Sequence, residues 1–544
     1  MVLDDAKEAG VDVDGVELAD VTEGPAVEQR LGTKADRRDM ERMGKKPELR
    51  RNFQAFSLFG YAVILGCTWE WGLASGVFSL TNGGTAGAIW TFLAVCFGMF
   101  FVMLSMAEMA VGNSRAEQME SSDIVIQVSE FSPARYQKGL SYVTGWFALL
   151  GWQTSLVGTA YAAGQQFEAM AALSNPDYTV KGWQGCLFTI ALTAVSISFN
   201  TVLYKKLPLL EGIIIVFHTF GFLAIVVTLW VMGPRGGSET VTTFSSNGWS
   251  SNGLSCLVGI LSPIITLIGA DSQCHLSEEL HNAAWVLPRA MVATATANYI
   301  MGFVMVLTIM FTIGPDTEAV LATRFGAPWV QIVYNATNSY AASMTFALLV
   351  GLLLTCCLIN NVTTASRQLW SFARDGGTPY ASFFARVRPG WDVPARFLLT
   401  LSARLPLQVN AMAFTLAITV VLSLFIIGSP VAFSILTSLS LTGLVSSYLL
   451  AIGCVLAKRI RGERFPPGRF GLGTFGFVCN GIAVGFLLLV WVFMFFPTAP
   501  NPGAAGMNWS VVIYGAVVML FTAYFFLGAR HQYAGPVAYV RKDM

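Results

Sequence analysis

The sequence predicts an all-α integral membrane protein of about twelve spanning helices, from its composition, its apolar run lengths and the placement of its charges. Of 544 residues, 54% are hydrophobic and 12% charged, about half the charged fraction of a typical soluble domain. Most of the surface must therefore face something other than water. Long uncharged runs recur, each close to the ~20 residues that an α-helix needs to cross the hydrocarbon core. Thirty of the 33 lysines and arginines fall in alternate connecting segments.

The apolar runs place spans near residues 54–80, 84–109, 139–164, 184–203, 209–232, 254–275, 289–314, 341–364, 409–427, 430–456, 472–496 and 508–528. Within each span the backbone must be helical, because lipid offers no partner to an N–H or C=O group. One set of connecting segments takes in the N-terminal tail, Arg115 to Lys138, Lys205 and Lys206, Arg289, Arg367 to Arg404, Lys458 to Arg469 and the C-terminal tail. The other set holds only Lys181, Arg235 and Arg324. Basic residues accumulate on the cytosolic side, so both termini are expected there. An odd number of spans would scramble the bias.

Residues 1–52 are polar, acidic first (Asp4 to Asp14) and basic later (Arg37 to Arg51), with no apolar segment of the secretory type. They read as a disordered cytosolic tail whose basic half suits anionic lipid. The nine cysteines are scattered, mostly within apolar runs, without a C-x-x-C pair. That pattern reads as small buried residues rather than disulfides or a metal site. No basic stripe points to nucleic acid. No phosphate loop, H-E-x-x-H spacing or nucleophile–base pair points to an enzyme, and no cofactor is expected. Asn335-Ala-Thr337 and Asn508-Trp-Ser510 are glycosylation sequons in predicted outside loops.

Two spans are irregular inside. The first contains Cys67-Thr-Trp-Glu-Trp-Gly-Leu-Ala-Ser-Gly76, with Glu70 at membrane depth beside Gly72 and Gly76. In the sixth, an apolar run collapses at Gly269 into Ala270, Asp271 and Ser272. Interrupted helices at corresponding positions of two halves point to a transporter's binding site, because the breaks free backbone groups near the midplane. An intramembrane carboxylate must face a cavity or a partner. The competing reading is that Gly72 and Gly76 only permit close helix packing.

Several stretches resemble the amino acid–polyamine–organocation superfamily, and more narrowly its fungal amino acid and choline permease branch. They are Phe78-Ser-Leu-Thr-Asn-Gly-Gly-Thr-Ala-Gly87, Met106-Ala-Glu-Met109, Glu130-Phe-Ser-Pro133 and Gly269-Ala-Asp271. The series continues with Ser277-Glu-Glu279, Pro288-Arg-Ala290, Thr363-Thr-Ala-Ser-Arg-Gln-Leu369 and Ala373-Arg-Asp-Gly376. The resemblance implies a LeuT-type fold. Inverted repeats of five helices would occupy 53–232 and 254–456, two more helices 472–528, and a cytosolic tail 529–544. It also implies a secondary transporter, usually proton-driven.

Carried over by that resemblance, the substrate site comprises the first break (Glu70, Trp71, Gly72, Ser75 and Gly76) and the second (Gly269, Ala270, Asp271 and Ser272). Glu278, Glu279, Arg367, Arg374 and Asp375 match cytosolic-side motifs and are candidates for a charged inner gate; solvated loop charges are the alternative. Two stretches depart from the branch: Val111 to Gln127, and Ala395 to Gln408. Both end in Gln, whose codon CAG carries the AG of an intron end. The second therefore reads as retained intron, and the first as a misassigned exon or splice variant.

The substrate is expected to be an amino acid or GABA-like zwitterion, because exposed amides at the breaks suit a carboxylate. Choline is the alternative if Trp69, Glu70 and Trp71 form an aromatic, anionic pocket; packing or interface anchoring is the other reading of the tryptophans. Asp271 and Glu70 are the candidate proton carriers, with His275 set aside as a histidine bonded to backbone. A transporter-fold nutrient sensor is the alternative of another class. The expected partners are the small-molecule substrate, the proton and the lipid bilayer.

Overall fold

The computed structural model describes residues 55–110, 124–203, 207–269, 271–280, 283–386, 388–389, 406–407, 409–429, 431–463, 470–533 and 535. The expected tail over 1–52, residues 111–123, residues 395–405, residue 408, residues 536–544 and Ala270 lie outside the described residues.

The first crossing consists of two helices, α1 (Ala55–Gly66) and α2 (Thr68–Thr81), joined at Cys67. Then come α3 (Gly84–Met109), the short α4 (Ile124–Phe131), the long α5 (Gln137–Ser174), α6 (Gly182–Val202) and α7 (Leu207–Met232). The sixth crossing is again two pieces, α8 (Asn252–Val258) and α9 (Leu261–Leu267), followed by an extended residue and a 3-10 turn at Cys274–Glu279. After it come α10 (Ala283–Thr312), α11 (Thr317–Leu321), α12 (Pro328–Thr337) and α13 (Tyr340–Arg374). The chain closes with α14 (Ala381–Phe384), α15 (Val409–Gly428), α16 (Ala432–Ile460), α17 (Phe475–Phe493), α18 (Ser510–Tyr524) and α19 (Arg530–Gln532).

Among the described residues, ten helical runs are long and apolar enough to cross a membrane, α1 and α2 counting as one. The broken α8–α9 pair is too short by itself, and α5 is less apolar. α5 carries Gln153, Thr154, Thr159 and Gln166, all buried, because it packs between α13 and α16 and faces protein instead of lipid. The peripheral helices show the opposite pattern. Phe217, Phe220 and Val231 on α7 and Met519 and Leu520 on α18 are exposed, and hydrocarbon exacts no cost for that. α5 runs ten residues beyond the expected end of its span, and α13 continues to Arg374. At 1.5 Å per residue, α13 is roughly 52 Å long and outreaches a ~30 Å hydrocarbon core.

The close crossing of α5 and α16 rests on two glycines. A Cβ on Gly443 would lie 2.7 Å from the backbone nitrogen of Gly151, so only hydrogen fits. Ser440 Oγ donates to Gly151 O at 3.1 Å across the same contact. Small residues let membrane helices approach until their backbones touch. At one end of the bundle, Glu108 at the foot of α3 pairs with Arg459 of α16 at 2.7 Å and accepts from Leu472 N–H at 2.8 Å. These contacts tie three crossings together.

Several sequence expectations change here. The sixth helix stops at Leu267 instead of reaching 275. Residues 529–533 are not simply tail: Tyr533 is buried, and its hydroxyl bonds with Ser141 Oγ at 3.1 Å. The last residues of the first departing stretch, Ile124 to Gln127, form buried turns of α4, so that end of it is built into the core. The second departing stretch is closed off by a two-residue antiparallel pair, β1 (Arg388–Pro389) with β2 (Pro406–Leu407). Asn508 is a poor glycosylation acceptor because its amide is buried and donates to Ser438 Oγ, Met494 O and Phe496 O, each at 3.1 Å.

Gly443→Val should force α5 and α16 apart and destabilise the protein by at least about 1–3 kcal/mol. Gly453→Val lies on the same helix, where a Cβ meets nothing within 4 Å, and should be neutral. Thermal unfolding of the detergent-purified proteins measures both.

Candidate functional site

Cys67 adopts the left-handed conformation (φ 43°, ψ 42°), costly for a residue with a Cβ and sustained by its surroundings. Its thiol donates to Leu353 O at 3.7 Å, and Cys357 Sγ donates to Leu65 O at 3.1 Å. The N–H groups of Cys67 (to Val63 O, 3.0 Å) and Trp71 (to Cys67 O, 2.9 Å) make backbone bonds on either side of the kink. The amides of Thr68, Trp69 and Glu70 therefore open α2 as a helix N-terminus inside the protein.

Opposite it, α9 ends at Leu267, Ile268 is extended (φ −78°, ψ 166°) and Gly269 takes φ +111°, which glycine alone adopts without strain. A turn follows, with Ser272 N–H to Gly269 O at 3.1 Å and Cys274 N–H to Asp271 O at 2.9 Å. Tyr299 of α10 donates its hydroxyl to Leu267 O at 3.2 Å and so satisfies one freed carbonyl.

Between the two breaks lies a cavity of about 50 Å³, against the 10–15 Å³ that about one water needs. Gly66, Thr68 and Trp71 wall it on one side, and Leu267, Gly269, Ser272 and Gln273 on the other. Trp152 and Ser155 of α5, Thr294, Asn298 and Tyr299 of α10 and Asn361 of α13 also line it, together with apolar side chains. Thr294 Oγ1, Asn298 Oδ1, Asn361 Oδ1 and Gln273 Oε1 have no hydrogen-bond partner among the described residues. Unsatisfied buried polar atoms call for a ligand or water. Gly66 matters because a Cβ there would meet Asn298 Nδ2 at 2.4 Å; its absence lets that amide reach Val63 O at 3.3 Å.

Of the nine residues expected at the substrate site, Trp71, Gly269 and Ser272 line this cavity. Ala270 lies outside the described residues. The first break sits at Cys67, not at Glu70–Gly76: Gly72 and Gly76 are inside the regular helix α2 and border a separate void of about 20 Å³ against α9 and α10. A Cβ at Gly72 would meet only Val306 Cγ2, at 4.0 Å, and one at Gly76 nothing within 4 Å, so neither glycine is needed for a close helix contact. Ser75 ties α2 to α9, donating to Trp71 O at 2.7 Å and facing Ser262 Oγ at 3.2 Å. Glu70 turns away from the cavity to His218 Nδ1 of α7, 2.7 Å away. Trp69 packs beside it on His218 and Phe222. The three-residue aromatic pocket therefore does not form, and Trp71 alone reaches the cavity, stacked on Phe433.

Asp271 is fully buried and works as a latch behind the second break. Its carboxylate accepts from Trp152 Nε1 of α5 at 2.9 Å and from the Tyr448 hydroxyl of α16 at 2.5 Å, with His275 Nε2 at 3.2 Å. His275 thus meets the Asp271 carboxylate. Three groups from two other helices and the next turn fix where the unwound segment runs.

Of the gate candidates, Arg367 and Asp375 are buried at the end of α13, and Arg374 lies over the Trp370 ring at 4.3 Å. Glu278 and Glu279 close the 3-10 turn, which packs on α13; their side chains lie outside the described residues. Sequence reasoning passed over Thr294, Asn298, Asn361, Trp152, Tyr448 and His218. The available signal was a polar or hydrogen-bonding side chain inside an apolar helix.

The chain has counterparts among known proteins. The amino acid permease family model matches residues 53–518. The chain belongs to the amino acid permease family. An uncharacterized amino-acid permease of Schizosaccharomyces pombe is 26% identical over 514 residues, covering 92% of this chain and 89% of that one. Amino-acid permease 2 of Neurospora crassa is 24% identical, with 93% and 90% covered. The choline transporter of Saccharomyces cerevisiae is also 24% identical, with 88% and 80% covered. A solved manganese transporter of Eremococcus coleocola superposes with a TM-score of 0.52 at 12% identity, over 90% of this chain and 95% of that one. At that identity the likeness shows the fold alone, which is the LeuT type. This permease is therefore a multi-pass membrane transporter and not an enzyme.

Tyr448→Phe removes one of the donors to a buried carboxylate and should cost about 1–3 kcal/mol. Thermal unfolding measures that loss, and uptake by the same variant should fall as the second break loosens.

Proposed function

We propose that this permease carries a small zwitterion, an amino acid or a GABA-like amine, into the cell across the plasma membrane, driven by protons. The observation that carries the reading is the pair of opposed helix ends at the cavity. The N-terminus of α2, with the amides of Thr68, Trp69 and Glu70, presents partial positive charge to a carboxylate. The C-terminus of α9 and the amide oxygens of Asn298, Asn361 and Gln273 present acceptors to an ammonium group. A ligand with both charges uses both ends. At about 50 Å³ the cavity holds a few waters, so the loaded form requires the walls to part.

The gate assignment supports alternating access. Arg367, Arg374 and Asp375 sit at the same end of the bundle as the Glu108–Arg459 pair, where the thirty cytosolic-side basic residues are expected. Glu278 and Glu279 would pair with Arg367 and Arg374 when that side is closed. The repeats are assigned to 53–232 and 254–456, each opening on a broken helix, with both termini in the cytosol. Choline is the second reading, favoured by Trp71 in the cavity wall, since a desolvated ring face attracts a cation by about 2 kcal/mol. It would leave the α2 amides without an anion.

Uptake in permease-deficient yeast with labelled amino acids, GABA and choline, with and without a protonophore, tests the proposal. Accumulation of a zwitterion that the protonophore abolishes is the expected result. Asn298→Leu should raise its KM about tenfold, near 1.4 kcal/mol. Accumulation of choline alone would favour the second reading, and accumulation of none would favour a sensor.

A further inference from the structure

Glu70 and His218 form a buried ion-pair geometry that the substrate cavity does not use. They come from different crossings, Glu70 from the first turn of α2 and His218 from the middle of α7, and their side chains are 0% and 1% exposed. Glu70 Oε1 meets His218 Nδ1 at 2.7 Å, while Glu70 Oε2 and His218 Nε2 have no partner among the described residues. Trp69 and Phe222 seal the pair from the side. Among the described residues, Cys67 at the kink and Cys356 on α13 are titratable groups that interact with Glu70, and Glu211 of α7 and Cys357 of α13 lie beyond them, each beside Cys356. Among the described residues no lysine or arginine is recorded against it, and α10 contributes only the uncharged Asn298 beside the kink.

We infer that the Glu70–His218 pair is the proton-binding site of this carrier, separate from the substrate cavity and joined to it through α2. This rests on the proton-driven reading above. With one proton shared between them, the carboxylate and imidazole are together neutral and suit a dry interface. Without it, a single negative charge is left buried, and burial disfavours an uncompensated charge. In this assignment the closed, buried contact between α2 and α7 is the proton-loaded form. Parting the two helices admits water, which stabilises the bare carboxylate and neutral imidazole and lets the proton leave to the side then open. Thr68 and Trp71, on either side of Glu70 in the same turn, line the cavity, so a substrate that repositions α2 also repositions Glu70. Asp271 is the less suitable carrier, since Trp152, Tyr448 and His275 all lie against its carboxylate.

Proteoliposomes holding a pH-sensitive dye report substrate-driven proton entry, and labelled substrate reports exchange. Wild type should show both. In Glu70→Gln and in His218→Gln, proton entry per substrate moved should fall at least tenfold. Glu70→Asp, which keeps a carboxylate, should recover most of the ratio. A Glu70→Gln carrier with the wild-type ratio would overturn the assignment while leaving proton-driven transport intact. Loss of exchange in both Glu70→Gln and Glu70→Asp, each monodisperse in detergent, would overturn it by making the pair structural. Wild type that moves substrate but no protons would instead remove the reading on which the inference rests.

Discussion

A helix that stops inside a bilayer must find partners for the backbone groups it frees, because hydrocarbon provides none. This constraint governs the two interrupted crossings and much of what surrounds them. At Cys67 the chain turns through one left-handed residue, and at Ile268–Gly269 it unwinds before the 3-10 turn. Tyr299 covers Leu267 O, Cys357 covers Leu65 O and Asn298 covers Val63 O. Thr68, the first residue of α2, lines the cavity. What the protein does not satisfy itself is where a ligand belongs.

The helices that supply these partners are correspondingly less apolar. α5 pays in hydropathy for its place between α13 and α16, where Gln153, Thr159 and Gln166 are buried. The glycine contact between Gly151 and Gly443 brings Trp152 and Tyr448 within reach of Asp271. Packing and polar chemistry thus depend on each other: the close approach positions the donors, and the donors hold the unwound segment. One turn of α2 faces two ways, with Thr68 and Trp71 toward the cavity and Glu70 toward α7.

The membrane architecture was legible in the sequence because span length and charge bias are set by the solvent, not by tertiary contacts. The second break was equally legible, since Gly269 and the polar residues after it cannot continue an apolar helix. The first break was misplaced by a few residues. Gly72 and Gly76 drew attention as helix-weakening residues, yet they sit in a regular helix, and the kink falls on a cysteine held left-handed by contacts with α13. Nothing local in Cys67 announces that. Glu70 was correctly read as needing a partner, but His218 lies 148 positions away in sequence and only the fold brings it close. Asn508 kept its sequon and lost its exposure because three acceptors from neighbouring segments converge on it.

The proposed place of substrate binding is the cavity between the Cys67 kink and the Gly269 turn. A structure of the permease with its transported substrate bound tests that most directly. The ligand's carboxylate is predicted to lie at the amides of Thr68, Trp69 and Glu70, with its ammonium toward Asn298 and Asn361. Density for the ligand outside this cavity, with the α2 amides taken up by other partners, would contradict it.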